Sequence, residues 1–135
     1  LNKRGRRGAP TVAEQLIERR WVPEVVASSD SERTTETWQL MADLFEGVEP
    51  VFRRSLYLAE PQTMLGAAAE FDEAATTGLL LGHNPGSSDL VNGLTGIFTS
   101  LKTANAALLE TDAASWSEAA RRRDWTLVGV VTPRT

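Results

Sequence analysis

Two short segments constrain this chain most, because each ends an apolar run and opens onto a helix-like stretch. The first is Val25-Val26-Ala27-Ser28-Ser29-Asp30-Ser31-Glu32-Arg33, continuing to Thr37. The second is Leu79-Leu80-Leu81-Gly82-His83-Asn84-Pro85-Gly86. If both apolar runs are neighbouring strands of one sheet, Arg33 and the sole histidine, His83, emerge at the same sheet edge. Ligands bind at that edge in open α/β sheets, outside the carboxyl ends of the strands. An arginine and a histidine there, beside unpaired N–H groups at helix starts, make a pocket for an anion. Phosphate suits it best.

The rest of the chain alternates in the same manner. Val12, Ala13, Leu16 and Ile17 recur at helical spacing after Pro10, which suits a first helical turn. The basic opening Lys3-Arg4-Gly5-Arg6-Arg7 then reads as a solvated loop leading into that helix, in preference to a targeting remnant or a nucleic-acid arm. Trp21-Val22-Pro23 breaks the helix, and Val25-Val26-Ala27 is a short buried strand. Asp30 or Ser31 caps a second helix, whose apolar side is Trp38, Leu40, Met41, Leu44 and Phe45 and whose end is Gly47. A strand over 51–56 with two interior arginines follows, then a helix from Pro61 through Phe71. A strand over 78–81 precedes a helix over 88–94. Strands over 106–109 and 127–131 flank a short helix or ordered loop over 116–123. Strands separated by helices predict an α/β three-layer sandwich, a mostly parallel sheet with helices on both faces. Residues 1–135 show no repeat, low-complexity segment or linker and are expected to form one domain.

Composition narrows the chemistry. With 135 residues, 41% of them hydrophobic, the chain is long enough to build a real core. Its 14 basic against 18 acidic residues leave a net charge of −4, which argues against a general nucleic-acid binder. Cysteine is absent, so disulfides, thiolate catalysis and cysteine-based metal sites are excluded. That usage suits a soluble protein of a reducing compartment, cytoplasm or organelle interior. No apolar run approaches the roughly 20 residues that span a bilayer, and the opening shows no signal-peptide pattern.

Backbone N–H groups at a helix start are unpaired and partly positive, so Ser29 to Arg33 can cradle an anion. The Arg33 guanidinium adds a planar fork of donors matched to phosphate oxygens. Taken alone, Arg33 reads as an exposed helix residue paired with Glu36 or Glu32. His83 has a comparable reading as a core histidine satisfied by a backbone carbonyl. Its place between Gly82 and Asn84-Pro85-Gly86 favours a functional role, since glycines let the chain turn sharply and let a ligand approach. A metal is not expected, because without cysteine or a second histidine only carboxylates remain as co-ligands. Asp89 and Asn92 read as cap and helix-surface residues, and Glu60 as an exposed carboxylate without an assigned partner.

These residues also fall into the motifs of a known family. Leu1 through Pro10 resembles the "PLTxRGRxxA" stretch of the histidine phosphatase superfamily, and Ser28-Ser29 through Arg33-Thr34-Thr35-Glu36-Thr37 resembles its "SSPxxRxxET" motif. Leu80 through Gly86 resembles "LVGHNPG", and Trp116 through Arg134 resembles the tail of its short bacterial-type members. The likeness runs in order from Leu1 to Arg134 and is greatest to the SixA-like phosphohistidine phosphatases. It implies a cofactor-independent, metal-free, two-step phosphoryl transfer in which a nucleophilic histidine takes the phosphoryl group and water releases it. By motif, Arg33 and His83 are the second pocket arginine and second pocket histidine. Ser29 and the backbone around Asn84 are expected to join them around the phosphate. The implied partner is a phosphorylated protein or a small phosphomonoester, with no nucleic acid and no membrane span.

One departure matters. The family's nucleophile lies in an "RHG" or "RHA" motif at the end of a first, central strand, ahead of the stretch with which this sequence opens. His83 cannot fill both histidine roles. The preferred expectation is that the sequence is N-terminally incomplete and lacks that strand. The alternatives are that a partner chain supplies it, or that the protein is a non-catalytic, phosphatase-like structural or binding subunit of a larger assembly.

Overall fold

The computed structural model describes residues 2–133, so the outermost positions of the motif match, Leu1 and Arg134, lie outside the described residues. Helix α1 (Lys3–Glu18) leads into strand β1 (Val25–Ser29) and helix α2 (Glu32–Ala42). Strand β2 (Pro50–Arg53) runs into a 3-10 turn (Arg54–Leu56), then helix α3 (Pro61–Ala69) and strand β3 (Gly78–Leu81). Helix α4 (Gly86–Thr95), strand β4 (Ala106–Glu110), helix α5 (Trp116–Arg121) and strand β5 (Thr126–Val131) complete the order.

Strands β2, β1 and β3 form a parallel sheet in that spatial order, with Val26 opposite Pro50 and Leu79. Strands β4 and β5 form a separate antiparallel pair, with an irregularity between Leu108 and Leu109. Successive side chains of a strand point to opposite faces, and β1 shows the result. Val26 joins a core cluster with Val12, Leu16, Trp38, Met41 and Phe45, whereas Ala27 joins another with Leu56, Met64, Leu65, Leu90 and Leu94. Helices α1 and α2 cover one face, α3 and α4 the other. This is the expected α/β layering.

Two local expectations are corrected. Helix α1 does not begin after Pro10; it begins at Lys3, capped by the Asn2 side chain accepting from Gly5 N at 2.9 Å, and Pro10 sits inside it. The basic opening is therefore helical. Its buried face, Gly5, Gly8, Ala9, Val12, Ala13 and Leu16, continues past the proline, and this packing outweighs the backbone hydrogen bond that proline forfeits. Gly8 is required there, because a Cβ would lie 2.9 Å from Ala104 Cβ and 3.0 Å from Pro133 Cγ. The strand predicted over 51–56 also ends early, at Arg53. Arg54 leaves the sheet to give its Nε–H to the Asp30 carboxylate at 2.9 and 3.1 Å.

The two sheets leave an open slot between them. The free edges of β3 and β4 both line one cavity of about 1050 Å³, with Gly78–Leu81 on one side and residues 106–110 on the other. Val12 and Met41 border it from the first helical layer, and Leu65, Leu90 and Ala119 from the second. Among the described residues, β3 and β4 do not pair with each other.

Candidate functional site

The carboxyl end of β1 is polar although it is buried. Ser28 and Ser29 are both 0% exposed, and their polar groups are satisfied locally. Ser28 Oγ donates to Ser29 O at 2.8 Å, and Thr34 Oγ1 donates to the same carbonyl at 2.7 Å. Ser31 caps α2 by accepting from Thr34 N. Asp30, the other cap candidate, is instead held by Arg54. These bonds fix the start of α2, and with it Arg33, the second residue of the helix.

The carboxyl end of β3 lies next to it, since Ser28 is opposite Leu81 in the register. One step beyond, His83 Nε2 lies 2.9 Å from Ser29 Oγ. The serine hydroxyl serves either neutral tautomer, donating to a bare Nε2 or accepting from Nε2–H. Burial, and after it the positive charge of Arg33, hold the His83 imidazole below its usual pKa. The ring is therefore neutral at neutral pH, beside a cation that among the described residues has no carboxylate in salt-bridge contact. Neither of the expected partners, Glu32 or Glu36, holds Arg33, and Glu36 meets Arg6 of α1 at 3.1 Å.

Arg33, His83 and Asn84 line the same cavity, the one that also contains the slot between β3 and β4. Ser29 is not among its lining residues and reaches the site through His83. The Asn84 side chain spans the turn into α4. Its Oδ1 accepts from Ser88 N and Ser88 Oγ, and its Nδ2 donates to Leu101 O at 2.6 Å. Ser88 Oγ in turn accepts from Leu101 N at 3.0 Å, so Asn84 and Ser88 strap the loop after α4 onto the site. The peptide Asn84–Pro85 is cis. Gly86 must lack a side chain, because a Cβ there would run into the Ala59 carbonyl oxygen.

Sequence reasoning brought Arg33, His83, Asn84 and Ser29 to one sheet edge, and the structure collects them there. It missed Tyr57, whose ring lies edge to face with His83 at a centroid distance of 5.3 Å and an interplanar angle of 75°. It also missed the Ser88 strap. Ser88, four residues after Asn84, follows from helical spacing once α4 is begun at Gly86; no local pattern marks Tyr57. Glu60 stands at the N-cap position of α3 without a side-chain capping bond, and Asp89 lies in the first turn of α4.

No protein-family model matches the chain. An uncharacterized chloroplastic protein of Arabidopsis thaliana is 34% identical over 148 residues, covering 98% of this chain and 67% of that protein. Among solved structures, one provisionally described as the phosphohistidine phosphatase SixA of Agrobacterium tumefaciens superposes with a TM-score of 0.82 at 24% identity, over 98% of this chain and 82% of that one. A second, provisionally described as SixA of Nakamurella multipartitia, gives a TM-score of 0.89 at 21% identity, over 100% and 85% of the two chains. A protein histidine phosphatase SixA complexed with tungstate gives 0.75 at 18% identity, over 98% and 83%. The chain thus belongs to one family with the Arabidopsis protein and shares the α/β fold of the SixA structures.

Proposed function

We propose that this chain is the body of a phosphatase domain that hydrolyses phosphohistidine or a phosphomonoester through a phosphohistidine intermediate. The nucleophilic histidine and its neighbouring arginine would come from a further strand lying in the slot between β3 and β4. The observation that carries this reading is that Arg33 and His83 line the same cavity as two strand edges that are unpaired among the described residues. A strand there would satisfy the free backbone groups of both edges, which are costly to leave unpaired in an apolar surrounding. Its carboxyl end would emerge beside Arg33 and His83 if it ran parallel to β3.

In the first step a histidine nitrogen attacks phosphorus and the bond from phosphorus to its carrier breaks, the carrier taking up a proton. In the second, water attacks the phosphohistidine, giving inorganic phosphate and restoring the histidine. The charge to be stabilised in both steps is spread over the phosphoryl oxygens. Arg33 meets it with a fixed planar fork, and His83 with a neutral ring held in place by Ser29. A bound dianion beside His83 favours the protonated ring, so the imidazole gains charge as the ligand arrives.

The relatives support the substrate class. Two of the SixA structures are provisionally described as phosphohistidine phosphatases, and the third, a protein histidine phosphatase, is complexed with tungstate, a phosphate-like oxyanion. The chloroplastic relative is compatible with an organelle interior. Among the described residues, no helix is long and apolar enough to cross a membrane. The test is turnover of phosphohistidine by full-length protein. Arg33→Ala and His83→Ala are each expected to abolish it. Full-length protein with an upstream arginine–histidine pair but no turnover on any phosphohistidine substrate would sink the enzyme reading and leave a phosphatase-like binding subunit.

A further inference from the structure

The segment from Arg54 to Ala59 is pinned at three points, yet presents two large apolar side chains to solvent. Arg54 is clasped by Asp30, next in sequence to Ser29. Leu56, 1% exposed, is buried in the core, and the Ala59 carbonyl closes over Gly86 at the start of α4. Between these anchors Tyr57 is 52% exposed and Leu58 is 61% exposed. Leu58 also sits at φ +50, in the left-handed region that a leucine rarely adopts. Such conformations persist where the surroundings over-determine them, and they cluster at ligand clamps.

Packing does not account for this arrangement, because neither side chain is buried by it. Position does. Tyr57 lies against His83 at 5.3 Å, and Leu58 lines the cavity that holds Arg33 and His83. Arg33 and His83 supply hydrogen-bond donors for phosphoryl oxygens, but neither is suited to the organic group that bears the phosphoryl. An aromatic ring against His83 and an isobutyl group on the wall of the same cavity are suited to it.

We propose that Tyr57 and Leu58 are specificity-determining residues that hold the carrier of the phosphoryl group and favour a flat ring, an imidazole or an aryl group, over an aliphatic carrier. This rests on the anion pocket proposed above. Ring-on-ring contact contributes enough to be read as a several-fold preference in affinity.

The test compares two non-hydrolysed probes, inorganic phosphate and phenylphosphonate, titrated into full-length protein by calorimetry. Phenylphosphonate is expected to bind about three- to tenfold more tightly. Tyr57→Ala is expected to erase that preference and leave phosphate affinity within about twofold, while Tyr57→Phe keeps the preference. Leu58→Ser, which retains a side chain at the same backbone position, is expected to reduce it. Equal weakening of both probes by Tyr57→Ala would overturn the proposal, since the ring would then only position His83. An unchanged ratio in Tyr57→Ala would overturn it as well. Failure of wild-type protein to bind either probe would instead remove the anion pocket, and this proposal with it.

Discussion

His83 Nε2 and Ser29 Oγ, 54 residues apart in sequence, meet at 2.9 Å across the ends of adjacent strands. Ser29 is fully buried and His83 partly so; the bond therefore fixes the ring from below and leaves its other side toward the cavity. The same hydroxyl also accepts from Ser31 N at 3.3 Å, which links the ring to the start of α2. Ser29→Ala removes both contacts. It is expected to cost about 1–3 kcal/mol of stability, measured by urea unfolding, because buried polar groups are left unpaired. Phosphate affinity should fall as well, since the imidazole is no longer held.

His83 is the sole histidine of residues 1–135, so within this segment its protonation is directly visible. In the ligand-free protein the His83 imidazole, followed by NMR, is expected to titrate below its usual range, owing first to burial and then to Arg33. Arg33→Ala should raise that pKa while leaving the burial contribution in place. Added phosphate should raise it in the wild type.

A consequence for stability follows from the same shift. With its folded pKa lowered, His83 binds fewer protons folded than unfolded as pH falls through the unfolded value of about 6.5. Stability should therefore be unaffected by this group above that pH and decline below it. In His83→Asn this contribution to the acid-side slope should disappear, as read from urea midpoints between about pH 5 and 8.

Gly86→Ala should be among the most damaging substitutions in the chain. Its methyl group meets a backbone oxygen, Ala59 O, which cannot rotate away as a flexible side chain would. Overpacking of this kind costs about 1–3 kcal/mol or more, and a lowered urea midpoint would show it. Gly66→Ala, a helical glycine with nothing within 4 Å of the added methyl, is the control and should be neutral or stabilising.

Arg54→Ala separates anchoring from stability. The Arg54–Asp30 pair is largely exposed, and such pairs contribute little to folding. The thermal midpoint should hardly move. The 54–59 segment should loosen, however, and the Michaelis constant for a phosphohistidine substrate should rise with little change in kcat.

The elements that were legible in the sequence have clear physical signatures. Leu79-Leu80-Leu81 and Val25-Val26-Ala27 are short apolar runs bounded by turn residues, and parallel strands read that way, although Leu79 to Leu81 are only partly buried along the open slot. Ser31 as a cap and Pro61 as a helix opener act through local backbone chemistry. The start of α1 was not legible, because Gly5, Gly8 and Pro10 are breakers by propensity. The buried face that runs past Pro10, and the close packing of Gly8 beneath Ala104 and Pro133 far along the sequence, explain the helix. The site was half legible. Arg33 and His83 stand out by residue type and position at strand ends. The approach of Tyr57 to His83 and the tie between Asn84 and Leu101 are tertiary contacts that no periodicity encodes.

On the reading proposed above, the gap between β3 and β4 receives a further strand. Whatever extended segment docks there joins two half-sheets into one, so docking free energy and folding free energy become a single quantity. When such a segment acts as a separate ligand at a hundredfold excess over its dissociation constant, the linkage adds about 2.7 kcal/mol to folding. Thermal stability should then depend on concentration, as it does for an obligate dimer. A short strand peptide supplied in trans would act on the melting curve before it had any effect on chemistry.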